Sequence, residues 1–167
     1  MIRTLLVVAA VIVFVLAVLG MRAGWRNRAR RQSMLPALAA RPAVVGALLA
    51  PELTGLYVGT TFAECWQDRV VAHGLGIRAA SSARLTAEGV DIDRDGADPV
   101  FIPAQFIDGA GLGSGLAGKV LGEGGLLLIR WRLGEHLLDS GLRADDRAGY
   151  PDWVRAIDEL TAQGARS

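Results

Sequence analysis

The sequence is poor in the residues from which small reactive sites are usually built. It holds one cysteine, Cys65, in 167 residues, which excludes an internal disulfide framework and any multi-cysteine metal centre within one chain. Its two histidines, His73 and His136, lie far apart, so a histidine-based triad or metal site would have to be assembled in space from sparse parts. The patterns GxSxG, HExxH and CxxC are absent, and with them the usual nucleophile elbow, helix-borne zinc pair and dithiol redox pair. No cofactor or metal is expected. Lysine is nearly missing, since seventeen of the 18 basic residues are arginine. Acid is missing from residues 1–41, which hold seven arginines, whereas residues 42–167 carry 11 basic and 17 acidic groups, a balance of 11 − 17 = −6. A body of that sign disfavours nucleic-acid binding, because phosphate contacts require a basic face.

What the sequence does have is one long apolar run. Thr4 to Met21 contains eighteen residues without charge, twelve of them Leu, Ile, Val or Phe. As a helix rising about 1.5 Å per residue it extends roughly 27 Å, just short of the ~30 Å hydrocarbon core, a gap that Ile2 and a snorkelling Arg3 close. The twelve apolar side chains contribute on the order of −4 to −7 kcal/mol toward insertion. Arg22, Arg26, Arg28, Arg30 and Arg31 follow at once, with Trp25 among them at headgroup depth. The run therefore reads as a transmembrane anchor over residues 1–22. Positive charge after the span places the bilayer as a partner, the N-terminus outside and the C-terminal domain in the cytoplasm, on a single-pass inner-membrane protein. A cleaved secretory signal fits less well, because no small-residue cleavage site follows a short apolar core before the arginines.

Residues 23–54 read as a basic juxtamembrane segment and an Ala/Pro-rich linker, with Arg41 and Glu52 the only charges beyond Arg31. A domain is expected over residues 55–163 and a tail over 164–167. Within the domain, short apolar runs are punctuated by glycine about every ten residues, the spacing of an antiparallel β structure. In the run from Gly125 to Leu133, Leu127, Ile129, Trp131 and Leu133 fall on one face and Arg130 and Arg132 on the other, the period of a half-buried strand. Leu137 to Leu142 follows after a turn at Gly134, and Gly118 to Leu121 precedes, which predicts a three-strand meander. Further strands are predicted at Leu56–Phe62, on either side of Ala87-Glu88-Gly89, and at Val100–Ile102. Pro151 to Ala162 reads as an amphipathic helix with Trp153, Ile157 and Leu160 on one face and Pro151 in its first turn.

About seven strands followed by one helix is the order of a pleckstrin-homology (PH)-like barrel. The runs YVGTT at Tyr57–Thr61, DRVVAHGLGIR at Asp68–Arg78, IP at Ile102–Pro103, RWRLG at Arg130–Gly134 and LDSGLR at Leu138–Arg143 resemble a group of small actinobacterial, N-terminally membrane-anchored proteins with a bacterial PH-like domain. The resemblance implies a mainly β fold, one transmembrane helix plus a PH-like barrel of about seven strands with a C-terminal amphipathic helix. It also implies a membrane- or export-type protein with no catalytic residues to carry over.

Several motifs are weaker than they look. Gly113 to Lys119 has phosphate-loop spacing, but Val120 stands where a magnesium-binding hydroxyl belongs, and glycines at 122, 124 and 125 break the helix that would receive phosphate. Asp91-Ile92-Asp93-Arg94-Asp95-Gly96 mimics the start of a calcium loop, yet position twelve is Ile102 instead of a bidentate glutamate. It reads as a solvent-exposed acidic hairpin tip, and Cys65 beside Trp66 as a small core residue. Arg130, Arg132 and Arg143, alternating near Asp139, read first as cross-strand charge pairing on a solvent face; their second role is a candidate partner surface at a sheet edge, by strand addition. Arg69, His73 and Arg78 form a candidate ligand patch around a glycine-rich turn. The expected role is thus a non-enzymatic, membrane-tethered module that recruits or scaffolds a protein partner; the alternative is recognition of a lipid headgroup or small ligand by the barrel.

Overall fold

The computed structural model describes residues 11–20, 35–44, 46–116, 119–120 and 125–164. The chain divides into two compact units, Met1–Met34 and Leu35–Ser167. Of the first, residues 11–20 are helical, with Val13 and Phe14 among their exposed apolar side chains. Among the described residues no helix is long and apolar enough to cross a membrane. The rest of the apolar run lies outside the described residues, as do Arg22, Trp25, Arg26, Arg28, Arg30 and Arg31.

The second unit is built on antiparallel strands: β1 (Leu53–Phe62), β2 (Cys65–Arg69), β3 (Ala79–Thr86), β4 (Gly89–Arg94), β5 (Ala97–Pro103), β6 (Ile107–Gly113), β7 (Gly115–Leu116), β8 (Lys119–Val120), β9 (Leu126–Leu133) and β10 (His136–Ala144). Seven of them run side by side in the order β5-β4-β3-β1-β10-β9-β6, and β2 pairs with β1. The two ends of this path, β5 and β6, are consecutive in the chain and joined only by the 3-10 turn Ala104–Phe106, so the strip curls until its ends approach, as a barrel does. The C-terminal helix, Tyr150–Gly164, packs against β6 and that turn. Tyr150, Trp153, Ala156 and Ile157 are buried and Leu160 packs beside them, at the i, i+3, i+4, i+7 spacing of one helix face. Trp153 Nε1 donates to the Pro51 carbonyl at 2.7 Å, which ties the helix to the chain entering β1.

Strand β9 follows its period, with Leu127, Ile129, Trp131 and Leu133 buried and Arg130 and Arg132 exposed. The predicted meander is corrected. The second neighbour of β9 is β6, not the segment at 118–121, and among the described residues β7 and β8 pair with each other in a separate two-stranded sheet. Leu116 of β7 lies over Gly141, where a Cβ would come within 2.5 Å of its Cδ2, and joins Val58 and Leu126 in a small cluster on the outer face. Cys65 is exposed, because it opens a short strand that pairs on one side only; the core position predicted for it is not observed.

A register shift between Tyr57 and Gly59 marks a bulge in β1. The extra residue lets Tyr57 and Thr60 both turn inward, where a chain of hydrogen bonds crosses the barrel. Trp131 Nε1 can only donate, and it reaches Ser140 Oγ at 2.9 Å; the Leu75 carbonyl can only accept, and it lies 3.0 Å from the Tyr57 hydroxyl. Those two ends orient the rest: Ser140 donates to Thr60 at 2.6 Å and Thr60 to Tyr57 at 2.6 Å, so every hydroxyl in the relay both donates and accepts. Burial pushes the Tyr57 phenol above its ordinary value, against the lowering hydrogen bond from Thr60. A phenol whose folded pKa is raised stabilises the fold fully below its unfolded value near 10, and that contribution is lost as pH rises through the folded value. Wild-type stability in a denaturant titration is therefore expected to fall steeply above about pH 10. Tyr57→Phe should flatten that limb and cost about 1–2 kcal/mol at neutral pH.

The segment read as a tether is, over residues 35–50, part of the compact unit. Leu35 and Ala50 are buried in the main core with Leu38 packed beside them, and Leu49 N donates to the Leu85 carbonyl at 2.9 Å. The unit starts at Leu35 where the sequence reading starts it at 55, because alanine and proline in a run without periodicity give no sign of what they pack on.

Candidate functional site

Alternation along β9 and β10 sets the outer face of the barrel. Arg130 and Asp139 are direct cross-strand partners and pair bidentately, Nε to Oδ1 at 2.8 Å and Nη2 to Oδ2 at 2.9 Å. Arg132 does the same with Asp108 of β6, at 3.0 Å for both bonds. Each carboxylate raises the pKa of its guanidinium, first through the hydrogen bond and then through charge. Both pairs are partly exposed, with the arginine side chains 50% and 59% accessible, so they fix geometry and sign on the surface more than they stabilise the fold.

Beside the Arg130–Asp139 pair, on the side away from Arg132, the outer face of β6 carries almost no side chains. Gly109, Gly111 and Gly113 stand opposite Arg130, Leu128 and Leu126, and a Cβ added at Gly109 or Gly111 would meet nothing within 4 Å. The result is a groove of about 340 Å³ floored by glycine and bounded by Asp108, Leu112, Leu128, Arg130 and Asp139. Leu112 is 55% exposed. Among the described residues β6 has a strand partner on one side only.

Of the predicted partner surface, Arg130 and Asp139 come together and Arg132 stands two residues along the same strand with a different partner. Arg143 is exposed but lies four residues from Asp139 on β10, roughly 13 Å away at strand rise. Sequence reasoning missed Asp108 and the glycine floor. The signal was there in Gly109, Gly111 and Gly113 at period two, but glycine is a poor strand former and the run IDGAGLG shows no apolar alternation.

The structure places the residues of the predicted ligand patch in different surroundings. Arg69 Nη1 donates to the Gly76 carbonyl at 2.6 Å and to Val58 at 3.3 Å, fastening the loop after β2, whose Val70 and Leu75 are fully buried. His73 is exposed, with φ of 52°, and its Nε2 lies 3.3 Å from the Leu35 carbonyl. Arg78 is exposed on the far side of that loop's sequence.

The acidic hairpin tip is also corrected. The β4–β5 turn is Asp95-Gly96, and Asp91, inside β4, is buried with only 6% of its side chain accessible. Arg84 Nη2 bridges Asp91 at 2.9 Å and Asp93 at 2.6 Å, so the carboxylates that mimic a calcium loop are occupied by guanidinium. Among the described residues no cluster of three or more metal-ligating side chains occurs. A second groove of about 490 Å³ on β1, β3 and β4 is lined by Asp93, Asp95 and Asp145 against one guanidinium, Arg94, which already donates to the Asp98 and Gly74 carbonyls; three carboxylates to one engaged arginine are unsuited to an anionic headgroup.

Residues 35–158 match the family model described as bacterial PH domain-like. No curated protein matches the chain.

Proposed function

Because the chain belongs to the bacterial PH domain-like family, we propose that it is a non-enzymatic binding module, tethered to the inner membrane with its C-terminal domain in the cytoplasm, that recruits or scaffolds a protein partner. The groove over Gly109 and Gly111 carries this reading. An extended segment can approach a glycine floor closely, lie along the groove over β6 and β9, and meet Asp108 and the fixed Arg130–Asp139 pair at its margin. Such pairs contribute little raw affinity but select register and partner by sign. The tether rests on the eighteen uncharged residues before Arg22; holding the module at a surface raises its effective concentration toward any partner there. Against a lipid headgroup stand the engaged guanidinium of Arg69 and the acidic balance of the domain.

Swapping the charges, Arg130→Asp with Asp139→Arg, retains an ion pair across the strands and reverses what the groove presents. Crosslinking of full-length protein in its native membrane is expected to yield a partner whose capture falls at least about tenfold in the swap, the loss that a misplaced buried-interface charge produces. The melting temperature should move by less than about 3 °C. A partner captured equally by the swap, or by a chain ending at residue 34, would overturn the assignment of this face.

A further inference from the structure

The ends and the middle of the segment before β1 are held in different ways. Leu35, Leu38 and Ala50 join the main core, and His73 and Trp153 add hydrogen-bonding contacts to the backbone at Leu35 and Pro51. Between them the described residues form no helix or strand, and Ala39, Ala40, Ala43, Val44, Ala47, Leu48 and Leu49 are all exposed. Ordering an irregular backbone costs conformational entropy at every residue, and among the described residues 39–44 and 46–49 no large apolar side chain is buried to offset that cost. The contacts that do are few. Arg41 grips both oxygens of Asp91, at 2.6 and 2.9 Å, and reaches Asp93 at 2.6 Å; Gly46 lies against the Glu88 carboxylate; Leu49 N donates to the Leu85 carbonyl.

We infer that residues 39–49 form a strap, hinged at Leu38 and Ala50 and latched by Arg41, that lifts as a unit while the barrel stays folded. Segments with little buried apolar surface and few backbone hydrogen bonds open at lower free energy than the core, and this one depends on a partly exposed ion pair that salt screens. Release of Arg41 frees Oδ1 of Asp91 and of Asp93 while Arg84 keeps Oδ2 of each, and extends toward Asp91 the carboxylates of Asp93, Asp95 and Asp145 that already line the open groove on β3 and β4. The strap thereby controls how much of an acidic strip the outer face presents. This inference is independent of the partner face on β6 and β9.

The test is hydrogen exchange in the full-length protein, read at the Leu49 amide, whose bond breaks when the strap lifts, with the β9 amides as reference. Arg41→Gln is expected to accelerate Leu49 exchange at least about tenfold and leave β9 unchanged. Raising salt from about 0.05 to about 1 M should accelerate Leu49 in the wild type but not in Arg41→Gln. Arg84→Gln, which removes the other guanidinium from the same carboxylates without touching the strap, should not accelerate Leu49. The inference is overturned if Leu49 is unchanged in Arg41→Gln, if β9 accelerates with it, or if Arg84→Gln has the same effect.

Discussion

Trp131→Ala is expected to lower the stability of the domain by about 3–5 kcal/mol, the range for deleting a fully buried large aromatic. Domains of this size are stable by only about 5–15 kcal/mol, so a large share of the protein should be unfolded or degraded at 37 °C. Two losses act together. The indole is 1% exposed and sits in the main core, and its removal leaves a cavity that strands paired on both sides, as β9 is with β6 and β10, cannot collapse to fill. Its Nε1–H is also the head of the relay through Ser140, Thr60 and Tyr57, so Ser140 loses its donor in a site closed to water. Trp131→Phe keeps most of the volume and loses the donor alone, and should cost about 1–2 kcal/mol. Chemical denaturation of the three proteins separates the terms; equal losses in both variants would mean that the relay, not the packing, dominates.

Gly89→Ala is expected to cost on the order of 3 kcal/mol or more, although it adds one methyl group. Gly89 opens β4 at φ of +139°, and a Cβ there would collide with the Ile102 carbonyl oxygen and come within 2.8 Å of Ala104 N. Both atoms are backbone, and Ala104 N already donates to the Glu88 carbonyl at 2.9 Å, so the pairing of β4 with β5 must give way before the methyl fits. Gly96 is the control, because its φ of +72° is strained for alanine but a Cβ meets nothing within 4 Å. Gly96→Ala should therefore show the conformational cost alone, about 1–2 kcal/mol. Thermal unfolding that ranks Gly96→Ala as the more damaging of the two would contradict this account.

Legibility followed the range of the interaction. The inward face of β9, the buried face of the C-terminal helix and the pairing of Arg130 near Asp139 were all readable, because each depends on residues within one element or across one short turn. The partner of Arg132 was not readable. Asp108 lies twenty-four positions away, on a strand whose alternate residues are glycine and which is a strand because β9 offers it an edge. The burial of Asp91 was hidden for the same reason, since Val90 and Ile92 mark a strand but nothing local announces that Arg41, fifty residues earlier, closes over its outer face.

By itself the sequence determined the segregation of arginine from acid, the apolar run at its start, the β character of the domain, the inward set of β9 and the helix that ends it. These are periodicities and compositions, set by neighbouring residues whatever the rest of the chain does. Only the tertiary structure decided that β6 and not the segment at 118–121 flanks β9, that a glycine floor opens beside the Arg130–Asp139 pair, and that residues 35–50 are built into the domain. Those outcomes depend on which distant surfaces meet when the strip of strands curls and its ends approach, and glycine, alanine and proline, with little or no side chain to pattern, leave no periodic trace of where they will be placed.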